Sequence, residues 1–289
     1  MNPRLADLVR LLELERLEDD LFRGASRDIG RDQVFGGQVL GQALRAAYAT
    51  TEGRVVHSLH AYFLRRGDVN APIVYEVDRS RDGHSFSSRR VIAIQHGEQI
   101  FHMSASFQLP EVAGLDHQFP MPAVPPPEDL RAPFDMTEAQ KATLSASTQR
   151  FLNTEIPFEF RSVDSMDPFH PSPMPPRQAI WFRATSTLSD DPELHRCLLA
   201  YASDYHLVAT ALRPHGLSFV SPGVLMASID HAMWFHRTAR VDDWLLYVME
   251  SPSTSSSRGF ARADIFTREG LLVASTAQEG LVRVVAPPR

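Results

Sequence analysis

Three polar residues in the second half of the chain have side chains that could position or deprotonate a water molecule: Asp204, Ser228 and Gln278. Each has a simpler interpretation. Asp204 lies opposite the apolar stripe of a predicted helix, which is typical of an exposed structural carboxylate. Ser228 shares a predicted strand face with Asp230 and Trp234, and Gln278 lies on the last strand, where polar side chains commonly face solvent or a neighbouring strand. The three residue types are compatible with a hydrolytic site, but the local pattern around each of them is equally typical of a structural residue.

Other common catalytic arrangements are missing from the sequence. Residues 216–220 lack the second glycine of a Gly-x-Ser-x-Gly elbow. His57 and His60, or His231 and His236, would point to opposite faces of a strand, so neither pair can hold a metal from one strand. Cys197 is the only cysteine, and its helical apolar surroundings favour a buried thiol over a nucleophile. We therefore expect no metal and no cofactor.

The composition is that of an ordinary soluble globular protein, with 43% hydrophobic and 22% charged residues among 289. A formal net charge of -6 without a basic block argues against a nucleic-acid partner. No apolar run approaches the roughly 18 residues of a membrane span, so no membrane partner is expected. The N-terminus resembles a short amphipathic helix and not a secretion signal, so we expect a cytoplasmic protein.

The hydrophobic pattern predicts one helix followed by antiparallel strands, twice over, which is an α+β fold. In the first half a helix at 37–50 precedes strands at 55–64, 73–79, 86–95 and 99–109. In the second half a strand at 178–185 and a helix at 192–212 precede strands at 224–235, 244–251, 258–267 and 271–285. No Gly-rich phosphate loop and no βαβ alternation is present.

The first predicted helix combines an apolar stripe with two costly glycines. Gln38, Gln42 and Arg45 fall away from the stripe that Val39 leads. Gly37 and Gly41 lower helix propensity, which indicates that another element packs very close to this helix.

The two halves also correspond residue by residue at a spacing of about 170, which is evidence of duplication. Phe63 and Arg65 match Phe235 and Arg237, and Gly97 matches Gly270. We predict an N-terminal repeat at 1–110, an inter-repeat connection at 111–177 and a C-terminal repeat at 178–289 that carries the chemistry.

The connection has an unusual composition. Residues 110–176 contain 13 of the 21 prolines. A capping box at 137–140 predicts one helix there. We expect the connection to pack on the domain because six of its residues are phenylalanine: 119, 134, 151, 158, 160 and 169.

Six motifs together resemble one family. They are FGGQVLGQ at 35–42, HSLHAYFLR at 57–65, DGHSFSSR at 82–89, YASD at 201–204, IDHAMWFHR at 229–237 and ASTAQEG at 274–280. In this order they closely resemble the type II acyl-CoA thioesterases, a bacterial family with eukaryotic peroxisomal relatives. The resemblance runs from Leu14 to about Arg283 and is weakest in the proline-rich connection.

The resemblance implies a double hotdog fold, in which two antiparallel sheets each wrap around a long helix and pack into one pseudo-dimer. The family's catalytic Asp falls on Asp204, its catalytic Gln on Gln278, and its hydroxyl, Thr in many members, on Ser228. It implies that a water held by these three attacks fatty acyl-CoA and releases fatty acid and coenzyme A, without metal or cofactor.

Two alternative functions stay open. One is a hotdog hydratase or dehydratase of acyl thioesters, which typically uses an Asp–His pair. The neighbours Asp230 and His231 suggest it, although adjacent strand residues face opposite sides. The other is a non-catalytic acyl-CoA-binding protein.

Whichever of these functions the protein has, exposed sheet edges and the family resemblance favour a homo-oligomer.

Overall fold

Strands of both halves join into one antiparallel sheet in the computed structural model, which describes residues 2–30, 32–111, 114–131, 142, 149 and 156–285. The first half contributes β1 (Glu15–Glu18), β2 (Leu21–Gly24), β3 (Val55–Phe63), β4 (Ile73–Asp82), β5 (Phe86–Gln95) and β6 (Glu98–Gln108). The second half contributes β7 (Phe158–Ser162), β8 (Arg177–Ala184), β9 (Val224–Ser228), β10 (Asp230–Phe235), β11 (Leu245–Ser255), β12 (Arg258–Thr267) and β13 (Leu272–Val284).

Three α-helices are described: α1 (Pro3–Leu11), α2 (Gly36–Tyr48) and α3 (Pro192–Ser203). A 3₁₀ helix, Val208–His215, follows α3, and a shorter one, Pro127–Asp129, lies in the connection. Helix α1 confirms the amphipathic N-terminal helix predicted from the sequence, since Leu5, Leu8 and Leu11 are buried on its apolar side.

The strand order is the same in both halves when it is followed outward from the centre. It runs β3-β6-β5-β4-β2-β1 in one direction and β10-β13-β12-β11-β8-β7 in the other. The two central strands pair antiparallel, with Leu59 opposite Met233 and Ala61 opposite His231. These two pairs exchange under the repeat, so the junction lies on a pseudo-twofold axis, as the duplication predicts.

Helices α2 and α3 pack against each other with almost no space between their backbones. A Cβ added to Gly37 would lie 2.3 Å from the carbonyl oxygen of Tyr201, and one added to Gly41 would lie 3.2 Å from that of Cys197. The two glycines are one helical turn apart, as are the two residues they face. This contact confirms the close approach that the glycines predicted.

Helix α2 is buried on almost every side, and of the three polar residues that fall away from its apolar stripe only Arg45 is partly exposed. Gln38 and Gln42 are at most 1% exposed. The Gln42 amide donates to the carbonyls of Leu11 (2.6 Å) and Ala25 (3.0 Å) and accepts from the hydroxyl of Tyr75 (2.7 Å). The buried amides are thus satisfied by the N-terminal segment and by β4.

The connection covers the outer face of the second half. Met121, Val124 and Leu130 pack on a cluster that includes Trp181, whose indole N–H donates to the carbonyl of Pro125 at 3.0 Å. Among the phenylalanines expected to pack, Phe158 and Phe160 are buried in β7 and Phe169 is partly buried. Phe119 is 77% exposed, so the expectation that it packs on the domain is wrong. Phe134, Phe151 and the helix expected at 137–140 lie outside the described residues. The repeat boundaries stay a prediction.

Candidate active site

Asp204 lies at the end of α3 and not within a longer helix. The helix expected at 192–212 ends at Ser203, with Asp204 as its C-cap, and the 3₁₀ helix begins only at Val208. His206 between them has a φ of 66°, in the left-handed region, which ends the regular helix. The turn leaves the Asp204 carboxylate partly buried on a cavity wall. The exposed position that the helical pattern favoured is therefore wrong.

Ser228 reaches the same place because a strand is interrupted. The single strand expected at 224–235 is divided at Ile229: Ser228 pairs with Gly280, whereas Ala232 pairs with Ala277, which is one residue out of register. Such an extra residue reverses the faces of the strand beyond it. Ser228 consequently faces the end of α3, as His231 does, and the face it was expected to share with Asp230 and Trp234 is wrong.

Hydrogen bonds connect the three predicted residues to one another. The Nε2 amide of Gln278 donates to Asp204 Oδ1 at 2.7 Å and to Ser228 Oγ at 2.9 Å. The Ser228 hydroxyl in turn donates to Asp204 Oδ1 at 3.3 Å. Gln278 is 1% exposed, and within the described part of the chain its Oε1 has no hydrogen-bond partner. Its amide therefore holds the Asp204 carboxylate and the Ser228 hydroxyl in place through these two hydrogen bonds.

The second carboxylate oxygen of Asp204 lies at the start of α2. A Cβ added to Gly36, the first residue of α2, would lie 2.7 Å from Asp204 Oδ2 and 3.0 Å from the ring of Phe63. The N-cap residue Phe35 supplies no side-chain cap to this helix. The N-terminal end of α2, which carries the positive end of the helix dipole, therefore lies beside the carboxylate.

An apolar cavity of about 550 Å³ opens beside this hydrogen-bonded set. Asp204 and Ser228 line it, whereas Gln278 does not. The first half contributes apolar wall from Val39, Phe63 and Phe101, and the second half from Phe158, Phe160 and Met226. A site built by the second repeat is thus completed by the first. The wall also carries the cations Arg65, Arg66 and Arg161.

Known proteins are similar to this chain over nearly its whole length. The sequence profile described as "Acyl-CoA thioesterase" matches residues 147–281, and that described as "Acyl-CoA thioesterase N-terminal domain" matches residues 25–108. Acyl-CoA thioesterase 2 of Haemophilus influenzae is 43% identical over 284 residues, covering 98% of this chain and 99% of that protein. The chain belongs to the acyl-CoA thioesterase family.

Two further relatives extend this similarity to eukaryotes and to a solved structure. Human acyl-coenzyme A thioesterase 8 is 40% identical over 282 residues, covering 95% of this chain and 88% of that protein. The crystal structure of acyl-CoA thioesterase II TesB2 from Mycobacterium marinum matches with a TM-score of 0.79 at 42% identity, covering 96% of this chain and 99% of that one. The predicted double hotdog of α+β class is confirmed.

The Asp–His pair of the rival hydratase is not assembled in this thioesterase. Asp230 accepts from the backbone N–H of Glu279 at 2.7 Å, and its partial burial raises the pKa of its carboxyl. His231 is fully buried on the other side of the strand, and burial lowers its pKa to about 3. Neither residue lines the cavity. The geometry therefore offers no joint role for the two at the site.

Among the described residues, neither the thiol of Cys197 nor a cluster of metal-ligating side chains contributes to the site. Cys197 is fully buried in α3, and burial raises the pKa of its thiol to about 12, so it is not a reactive thiolate. No group of three or more His, Cys, Asp or Glu side chains suited to a metal occurs among the described residues. Over the same residues, no helix is long and apolar enough to cross a membrane.

Proposed function

We propose that this acyl-CoA thioesterase hydrolyses fatty acyl-CoA to free fatty acid and coenzyme A by attack of a water that Asp204, Ser228 and Gln278 position. The observation that carries the proposal is the joint hydrogen bonding of the three side chains on the wall of an apolar cavity. Thioesters resonate weakly, so their carbonyl carbon accepts an activated water without metal assistance. Holding that water in line supplies much of the rate.

Asp204 is the group that receives the proton. The water oxygen bonds to the thioester carbonyl carbon while one water proton passes to the carboxylate. The oxyanion then collapses to the carboxyl group of the fatty acid as the C–S bond breaks. The leaving sulfur takes the proton from Asp204, which gives coenzyme A thiol and restores the carboxylate. Two donors already fix Oδ1 of Asp204, so its carboxylate needs no reorientation during attack. Gln278 acts on the water indirectly, by orienting Asp204 and Ser228.

Ser228 serves as a hydrogen-bonding group and not as a covalent nucleophile. Its hydroxyl accepts from Gln278 and donates to Asp204. Serine nucleophiles are commonly activated by an imidazole, but His231 contacts Ser203 and Thr276 and not Ser228. The one base that Ser228 contacts is Asp204, to which we assign the proton of the water. Attack by water is therefore the simpler route.

The start of α2 is suited to receive the negative charge that develops on the carbonyl oxygen. Gly36 lines the cavity directly beside Asp204 Oδ2, and Phe35 leaves the helix without a side-chain cap. Backbone N–H groups at a helix N-terminus stabilise an oxyanion without any movement of side chains. We assign that role to the start of α2, where Gly36 lines the cavity.

The substrate fits the cavity with its acyl chain inside and its nucleotide end at the rim. Each buried methylene contributes about 0.8 kcal/mol, so the apolar wall can hold the chain. Arg66 is exposed and forms no ion pair with a described residue, in contrast to Arg161, which pairs with Glu159, and Arg65, which pairs with Glu98. It is the arginine most available to the coenzyme A phosphates.

The proposal also includes the oligomeric state and the cellular location of the protein. The outermost strands β1 and β7 leave main-chain groups available for pairing with another chain, which supports a homo-oligomer. A cytoplasmic location stays a prediction from the sequence.

A thiol-release assay across acyl-CoA chain lengths tests the function. We expect steady release of free coenzyme A, with a preference for the chains that fill the cavity. A hydratase would instead change the absorbance of an enoyl-CoA without releasing thiol. Binding of acyl-CoA without turnover would identify a non-catalytic acyl-CoA-binding protein.

A further inference from the structure

His231 forms hydrogen bonds behind the candidate site that the proposed chemistry does not use. The ring is fully buried, and its Nε2 lies 2.9 Å from Ser203 Oγ and 3.1 Å from Thr276 Oγ1. Ser203 directly precedes Asp204. Thr276 lies two residues before Gln278, on the same buried face of β13. The imidazole thus contacts the neighbours of two of the three candidate catalytic residues.

The hydrogen-bond inventory determines which nitrogen of His231 carries the proton. The Ser203 hydroxyl donates to the carbonyl of Ala200 at 2.9 Å, and the Thr276 hydroxyl donates to that of Ala232 at 2.8 Å. Each hydroxyl has a single hydrogen, so both oxygens can only accept from the ring. His231 must therefore carry its proton on Nε2 and share it between the two.

The opposite nitrogen is consistent with this tautomer. Nδ1 has no hydrogen-bond partner among the described residues. A buried lone pair there costs less than a buried charge, and burial keeps the ring neutral by lowering its pKa to about 3. His231 is thus a fixed neutral donor and takes no part as a base.

We propose that His231 is a positioning residue: its Nε2–H joins the end of α3 to β13 and so sets where the Asp204 carboxylate meets the Gln278 amide. The inference rests on the proposed function. Asp204 directly follows Ser203, the last residue of α3. The hydroxyl of Tyr247 also holds Ser203, by donating to its backbone carbonyl at 2.8 Å. Loss of the His231 bridge would leave α3 and β13 free to shift relative to each other, and a misplacement of about 1 Å can cost roughly 10²-fold in rate.

Two substitutions separate positioning from simple filling of the core. His231→Leu fills a similar volume with an apolar side chain and removes the donor, whereas His231→Gln keeps an N–H that can reach the place of Nε2. We expect His231→Leu to lower kcat by roughly 10- to 100-fold with KM within about twofold. His231→Gln should recover most of that loss.

His195 offers a matched control. It is also buried in α3, with Nε2 3.0 Å from the carbonyl of Ser189 and Nδ1 3.1 Å from the N–H of Val241, but it lies at the far end of the helix. His195→Leu should lower Tm without changing kcat. Equal losses of kcat in His195→Leu and His231→Leu would reduce His231 to a structural residue and overturn the proposal.

Two further variants keep the test decisive. If His231→Leu does not fold, Thr276→Val removes one of the two acceptors while keeping the side-chain shape, and it should lower kcat several-fold. Adding either change to Asp204→Asn should cost little more, because the bridge acts through Asp204. Full additivity, or full activity in Thr276→Val, would refute the bridge. Failure of the wild-type enzyme to release thiol would instead refute the proposed function.

Discussion

The Nε2 atom of Gln278 lies 2.7 Å from Oδ1 of Asp204, although 74 residues separate them in sequence. Asp204 ends a helix and Gln278 belongs to the middle of β13, so the contact exists only because the sheet of the second repeat encloses the end of α3. Ser228, the last residue of β9, hydrogen-bonds to both of them from a third element. The arrangement places one carboxylate, already oriented by two donors, on the wall of the cavity.

Removal of the Ser228 hydroxyl should slow turnover. We expect Ser228→Ala to lower kcat by roughly 10²-fold or more, because it removes a donor to Asp204 and an acceptor for Gln278. Ser228→Thr should be nearly silent, since threonine keeps the hydroxyl. Ser275→Ala, on the opposite face of β13, is the matched control and should keep the wild-type rate. Steady-state thiol release measures all three, and a fully active Ser228→Ala would remove Ser228 from the site.

The chemistry should proceed without an acyl-enzyme. Because no imidazole contacts Ser228 and no metal cluster occurs among the described residues, we expect no burst of thiol release and no effect of chelators. Mass spectrometry of enzyme quenched during turnover provides the measurement. An acyl adduct on Ser228 would show that the serine attacks the thioester directly.

Arg66 should affect coenzyme A recognition and not chemistry. We expect Arg66→Glu to raise KM for acyl-CoA by roughly 3- to 10-fold, with a smaller effect at high salt, because it replaces an attraction to phosphate with a repulsion. KM for an acyl-N-acetylcysteamine thioester, which lacks phosphates, should not change. Arg283→Glu, on an exposed part of β13, is the charge-matched control. Equal effects on both substrates would contradict a phosphate contact.

Gly37 should tolerate no side chain. Gly37→Ala places a methyl group 2.3 Å from the carbonyl oxygen of Tyr201, so we expect a loss of about 1–3 kcal/mol in the free energy of unfolding. Gly41→Ala meets its nearest atoms at 3.1 and 3.2 Å and gains the same helix propensity, so its loss should be smaller. Denaturant unfolding of both variants checks the order, and the reverse order would contradict the close packing of α2 on α3.

The repeat and the general fold could be predicted from the sequence because they depend on periodicity and spacing. The strands at 86–95 and 258–267 have the predicted bounds. The placement of Asp204 could not be predicted from the pattern, since the left-handed turn at His206 depends on tertiary packing. The one-residue interruption at Ile229, which turns Ser228 inward, likewise leaves no periodic signal.

The resemblance, and not the local pattern, selected the three candidate residues, and their catalytic roles stay predictions. The bridge formed by His231 was missed because a histidine on a strand is compatible with many environments. Its burial and its hydroxyl partners come from α3 and β13, which are distant in sequence. The proximity of Gly36 to Asp204 was not expected, because a glycine at a helix start indicates close packing but not what packs there.

The kcat of Asp204→Asn for release of coenzyme A from acyl-CoA is the decisive measurement for the proposed role of Asp204 as proton acceptor. Asparagine keeps the shape and the contact with Ser228 but cannot take a proton from water. We expect kcat to fall by roughly 10²–10⁴-fold with Tm near that of the wild type, and little further loss when Gln278→Ala is added, since both act on one water. A kcat close to that of the wild-type enzyme would contradict the assignment of Asp204 as the proton acceptor.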